Sequence, residues 1–161
     1  MITNVKIARQ IQAFEALVKK TSLATNNDAE VQAEWARYLC VIAAGILENA
    51  IKELYGDFAV KKTSEPIARY ISSTLSAIRS PKTQRFLEVA RAFSPKWETD
   101  LEAHVNADSG LDAIDSIMNQ RHLIAHGSYK NSNISMTRVK DYFKRAIKVL
   151  AFIESQCNGQ A

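Results

Sequence analysis

Residues 119–128 read Asn-Gln-Arg-His-Leu-Ile-Ala-His-Gly-Ser, so Arg121, His122 and His126 gather an arginine and two of the chain's three histidines just before Gly127. These residue types suit chemistry at a phosphate. Imidazole takes up or gives out a proton near neutrality, and a guanidinium grips two phosphate oxygens at once. Cleaving RNA without a metal needs a base for the 2′-hydroxyl, an acid for the leaving 5′-oxygen, and positive charge on the crowded phosphate. Arg121 and His126 supply those types, with His122 as a supporting polar group.

Two other readings compete for the same segment. His122 and His126 are four residues apart, about 40° on a helix, so both could face one metal ion. Leu123, however, stands where the zinc-protease motif carries its catalytic glutamate, and His104 is the one remaining histidine. The expectation is therefore no metal and no cofactor. The other reading is structural: His126 caps a helix C-terminus and Arg121 is a surface residue. The nucleolytic reading makes its own demand. Five residues on a straight helix set Arg121 and His126 about 140° apart. Either the helix unwinds before Gly127, or a two-fold dimer brings both copies' residues into one cleft.

The elements that must position these residues are helices. The chain has 161 residues, 47% hydrophobic and 24% charged, with only five Gly and three Pro to punctuate it, which suits one helical domain rather than many short strands. The expected fold is all-α: an up-and-down bundle of about five main helices, with short helices between the third and the site helix. The domain is expected over 1–157, with a frayed tail at 158–161. The first helix reads from about Asn4 to Lys20, with Ile7, Ile11, Phe14 and Leu17 inward. Asn27 and Glu30 have the form of a capping box for a long second helix ending at Gly56. Within it, Gly45 beside Ala43 and Ala44 suggests close approach by another helix, or is simply a tolerated glycine. Ser64 and Pro66 open a third helix, its stripe Ile67, Tyr70, Ile71, Leu75 and Ile78. Short helices follow around Phe86–Ala92 and Lys96–His104. Ser109 caps the site helix, Gly110 to His126, and a last helix runs near Ser135–Gln156.

Net charge is +4, unevenly spread: residues 61–92 carry seven Lys/Arg against two Asp/Glu, 93–120 one against six, and 121–161 seven against two. A charge run is usually a solvated helix face, though two basic blocks folded together could make a surface that attracts phosphates. Cys40, in an apolar stretch, and Cys157, in the tail, read as free thiols of a reducing compartment. No apolar run reaches the roughly 18–20 residues of a membrane span, and the first residues lack a signal-peptide block. A cytoplasmic protein without a membrane partner is expected.

An all-helical chain with a long second helix, and Arg121-His122-Leu123-Ile124-Ala125-His126-Gly127 before the final helix, resembles the HEPN superfamily (higher eukaryotes and prokaryotes nucleotide-binding domains). The segment matches that family's Arg-x4–6-His signature, with a polar residue directly after the arginine. Val41–Tyr55, with Glu48 in an apolar helix, is similar to its second helix. The resemblance implies a metal-independent endoribonuclease that acts as a homodimer with the motif at the interface, in toxin–antitoxin or antiviral defence settings. It also implies RNA as substrate and an antitoxin or defence-system partner protein. Inactive members that only bind RNA or a partner are the alternative. The toxin subgroup's His-x-Tyr is not matched, since Gly127-Ser128-Tyr129 sets the tyrosine one place further on. Lys130, Arg138 and Lys144 are the nearest candidates for RNA-backbone contacts, or else solubilise the last helix. Glu48 either helps to orient the site or is a helix-surface glutamate.

Overall fold

The computed structural model describes residues 2–25, 28–107, 110–127 and 131–159, without the side chain of Leu111. These residues form seven helices and no strand. They are α1 (Val5–Ala24), α2 (Ala29–Lys62), α3 (Glu65–Ser76), α4 (Thr83–Phe93), α5 (Pro95–Ala107), α6 (Gly110–Ala125) and α7 (Met136–Cys157).

Caps fix most of the boundaries. The Asn4 side chain accepts the amides of Lys6 and Ile7 at the start of α1. Asp28 does the same for Glu30 and Val31 at the start of α2; Asn27, expected in that role, lies outside the described residues, as does Ser109. Gly56 does not end α2, which runs six residues further, to Lys62. A mid-helix glycine costs about 1 kcal/mol, and aromatic packing on both sides of it offsets that. Tyr55 stacks on Phe93 at 4.9 Å, and Phe58 meets Trp97 edge-on at 5.0 Å. Helix α5 runs on to Ala107, past the expected end near His104, and Cys157 closes α7 rather than lying in the tail.

Specific bonds set the directions. Thr3 and Asn4 donate their amides to the buried Glu154 carboxylate near the end of α7, while Lys140 near its start reaches Ser22 near the end of α1. Asn4 also donates to Asp57 of α2. Thus α1 runs against both α2 and α7. Gly110 lies against Val149, and Gln120 meets the loop that enters α7, so α6 also runs against α7. The end of α6, the end of α1 and the starts of α2 and α7 share one end of the bundle.

The core is continuous, built from Leu39, Cys40, Ala43, Leu47 and Ile51 of α2 with Ile114, Ile117 and Met118 of α6 and Val139, Phe143, Ala146 and Leu150 of α7. The α3 stripe is corrected in part. Ala68, Leu75 and the following Ile78 are buried, whereas Ile67 and Tyr70 are exposed. Ile67 and Tyr70 lie one position off the line Ala68–Ile71–Leu75, about 100° around the helix from it, so they point away from the bundle.

Gly110 is required by packing. A Cβ there would lie 2.7 Å from Val149 Cγ2, on a β-branched side chain with little freedom to move. Gly110→Ala should therefore destabilise the protein by about 1–3 kcal/mol, and adding Val149→Ala should relieve part of the clash. Thermal denaturation of the single and double variants checks this. Gly45 is the reverse case: nothing lies within 4 Å of a Cβ built there. Among the described residues, no atom stands close enough to require glycine there.

Candidate functional site

The last turns of α6 carry the segment with chemical potential. The helix does not unwind before His126: its amide donates to the His122 carbonyl at 3.1 Å, and only Gly127, at φ 76°, turns the chain out. His122 and His126 consequently share one face, with ring centroids 4.3 Å apart and planes tilted by 47°. Both are exposed and Arg121 is half-buried. Arg121 points about 140° away from His126, and it makes no ion pair or hydrogen bond among the described residues. Of the sequence candidates, the structure brings the two imidazoles together and leaves the guanidinium on another side of the same turn.

The neighbouring loop is fastened to this helix. Ser132 donates to Gln120 Oε1 at 2.7 Å, and Gln120 Nε2 donates to Asn133 Oδ1 at 3.3 Å. Ser132 and Ile134 are buried, so the loop's return path is a packed part of the fold. Gln120 was not singled out from the sequence; its one signal was a polar residue directly before Arg121.

The other candidates are dispersed. Arg138, in the first turn of α7, donates to the Asn133 carbonyl at 3.5 Å, which keeps it beside that loop. Lys144 lines a groove between α1 and α7 with Phe14, Glu15 and Lys140 instead. Lys130 lies outside the described residues. Exposed Lys19 and Lys20 come from the end of α1 to the same end of the bundle as α6. Nothing in their sequence position, about 100 residues before the motif, signals this.

Glu48 has a different task from orienting the histidines. Cys40 Sγ donates to the Ile117 carbonyl at 3.6 Å, which fixes the register of α2 against α6. From that contact, Glu48 and Arg121 diverge by about 18 Å along the bundle at 1.5 Å per residue. Glu48 accepts from Lys52 Nζ at 2.8 Å and from the Ser80 amide at 2.7 Å. It thereby holds Ser80, whose φ of 43° is left-handed, in the turn between α3 and α4. Burial pushes its carboxyl up, but the hydrogen bonds from Lys52 and Ser80 and the charges of Lys52 and Arg79 outweigh that and hold it below the ordinary carboxylate range. A lowered pKa gives stability that is present above the unfolded value and lost as pH falls through the folded one. Glu48→Gln should thus cost about 1–3 kcal/mol at neutral pH, with the gap to wild type narrowing below about pH 4. Urea denaturation across pH checks the sign.

The metal reading finds no support in ligand geometry: no three His, Cys, Asp or Glu side chains cluster among the described residues. His104 stacks on Phe152 at 4.2 Å, away from the pair. Burial pushes the Cys40 and Cys157 thiols up to about 12, which leaves both protonated and unreactive. No described helix is long and apolar enough to cross a membrane.

Comparison with curated proteins and with solved structures found no match. The family comparison did: the family described as RiboL-PSP-HEPN matches residues 3–159, which takes in all seven helices and the whole of the Arg121–His126 segment. The all-helical bundle agrees with that match, and the chain belongs to the RiboL-PSP-HEPN family of HEPN-type domains.

Proposed function

We propose that this HEPN-type domain is a metal-independent endoribonuclease whose site is shared between two copies of the chain. The observation that carries the reading is the turn of α6 just described: two exposed imidazoles 4.3 Å apart beside an arginine without an ion pair among the described residues. The exposed imidazoles supply proton transfer, and an uncommitted guanidinium is ready for a phosphate. In this reading His126 is the general acid or base, Arg121 stabilises the phosphorane, and His122 supports His126. Because the helix stays intact through the His126 amide, one copy cannot turn both groups on one phosphate, and a second copy supplies the missing member. Arg138 and Lys130 hold the RNA backbone, and Lys144 extends the basic surface. The 2′-oxygen is the nucleophile, so the products carry 2′,3′-cyclic phosphate and 5′-hydroxyl ends. The setting that the HEPN resemblance suggests is cytoplasmic toxin or antiviral defence, with a restraining or effector protein as partner.

The test is to incubate purified protein with total RNA in EDTA, beside the His126→Ala variant. Cleavage that resists EDTA and is lost in the variant is the expected result. Equal cleavage by both proteins means a contaminating nuclease. A wild-type protein that cuts no RNA is instead a module for binding RNA or a partner.

A further inference from the structure

The face of α6 that carries the histidines also meets the start of α4. Asn119, His122 and His126 all lie within about 40° of Asp115 around the helix, so the four residues form a line about 16 Å long. Asp115 anchors the lower end of that line. Its carboxylate accepts the Thr83 amide at 2.7 Å, which pins the first turn of α4 to α6 and brings the basic stretch 61–92 to the helix that ends in the histidines. Lys82, directly before Thr83, is exposed, and its ammonium makes no hydrogen bond or ion pair among the described residues. Arg85, in the first turn of α4, is also exposed and is held only by the surface pair with Glu88 at 2.9 Å. Asp115 spends its charge on the helix start, whose dipole opposes it. Asp112, one turn further from the histidines, is exposed, so the stretch that favours an anion ends at Lys82. Between Lys82 and His122 lies exposed Asn119, a carboxamide able both to donate and to accept.

We propose that Lys82 and Arg85 hold the RNA strand beyond the cut, at a phosphate further along the chain than the one between the histidines. About 10 Å of helix separates Asp115 from His122. A phosphate held by Lys82 is therefore a neighbour of the scissile one along the strand. The strand then follows the Asp115–Asn119–His122–His126 face, with Asn119 in reach of a 2′-hydroxyl or a base on the way. Two cations on phosphates position the chain without reading it, so this contact is largely indifferent to sequence. It favours RNA long enough to reach from the histidines to the start of α4 over the few nucleotides around the scissile bond. The inference rests on the cleavage reading for its substrate, and it adds the residues that grip that substrate away from the reacting atoms. Where two copies share the site, each brings one such line to the cleft.

Fluorescence anisotropy with a labelled single-stranded RNA of about 12 nucleotides tests it, in EDTA and on the His126→Ala background so that the probe stays whole. Adding Lys82→Ala and Arg85→Ala together should raise the dissociation constant about 10-fold at 0.1 M salt. The slope of log affinity against log salt should become shallower by about 1.4, at roughly 0.7 per phosphate. Both residues are exposed, so circular dichroism and melting temperature should match the parent. Lys62→Ala removes the same charge from the exposed far end of α2 and should change binding by less than about 2-fold. With His126 restored, the double change should raise KM for the same RNA while kcat holds. A double variant that binds like its parent, or a Lys62→Ala protein weakened as much, overturns this surface and leaves the cleavage site standing. Weakened binding in the double variant, beside a wild-type protein that cuts no RNA, supports the surface and overturns the cleavage reading. A protein that binds no RNA overturns both and leaves these cations for an acidic protein partner.

Discussion

Arg121→Ala should lower RNA cleavage by about 10²–10³-fold and leave the dimer intact or slightly tighter. The effect is large because the guanidinium acts where charge builds up, on the phosphorane oxygens, and water replaces it poorly. The dimer is spared because Arg121 makes no ion pair among the described residues, and two arginines facing one cleft repel until an anion arrives. The same argument predicts that sulfate or phosphate inhibits cleavage and raises the melting temperature of wild type more than of the variant. Single-turnover rates and sedimentation of the two proteins check this. Loss of cleavage together with loss of the dimer would mean a structural role for Arg121.

Mixing two inactive proteins should restore cleavage. His126→Ala alone is expected to lose about 10²–10⁴-fold. In the mixture, subunit exchange produces dimers with Arg121 from one chain and His126 from the other. A shared site then recovers roughly a tenth to a quarter of the wild-type rate, since about half of the dimers are mixed. If each chain used its own pair, no dimer in the mixture would hold both groups on one chain, and activity would stay at background. The intact helical turn between His122 and His126, 3.1 Å from amide to carbonyl, is why recovery is expected.

The helices were legible because each announces itself by local rules. Asn4, Ser64 and Ser135 stand at helix starts, Gly127 ends the site helix, and the inward stripe of α1 follows the helical period. The misreadings arose where packing overrides local preference. Gly56 reads as a stop, yet the aromatic cluster of Tyr55, Phe58, Phe93 and Trp97 carries α2 through it. Ile67 and Tyr70 read as core, but only the neighbouring face of α3 meets the bundle.

The histidine pair was legible for the same reason as the helices, since a spacing of four is a local geometric fact. The partners of Glu48 were not. Ser80 is 32 residues away, and only the fold of α3 back onto α2 brings its amide to the carboxylate. Of the two readings of Gly45, close approach of a helix or a tolerated glycine, the open space around a Cβ there favours the second.

The proposed chemistry meets its most direct test in one substrate. Once a cleaved site has been mapped, an RNA carrying a single 2′-deoxy sugar at that position can be compared with its all-ribose twin, in EDTA and under single-turnover conditions. Attack by the 2′-oxygen predicts that the ribose RNA yields 5′-hydroxyl and 2′,3′-cyclic phosphate ends, while the substituted RNA binds with similar affinity and is not cut at that position. Cleavage of the substituted RNA at the same bond and a comparable rate would contradict the mechanism assigned to Arg121 and His126.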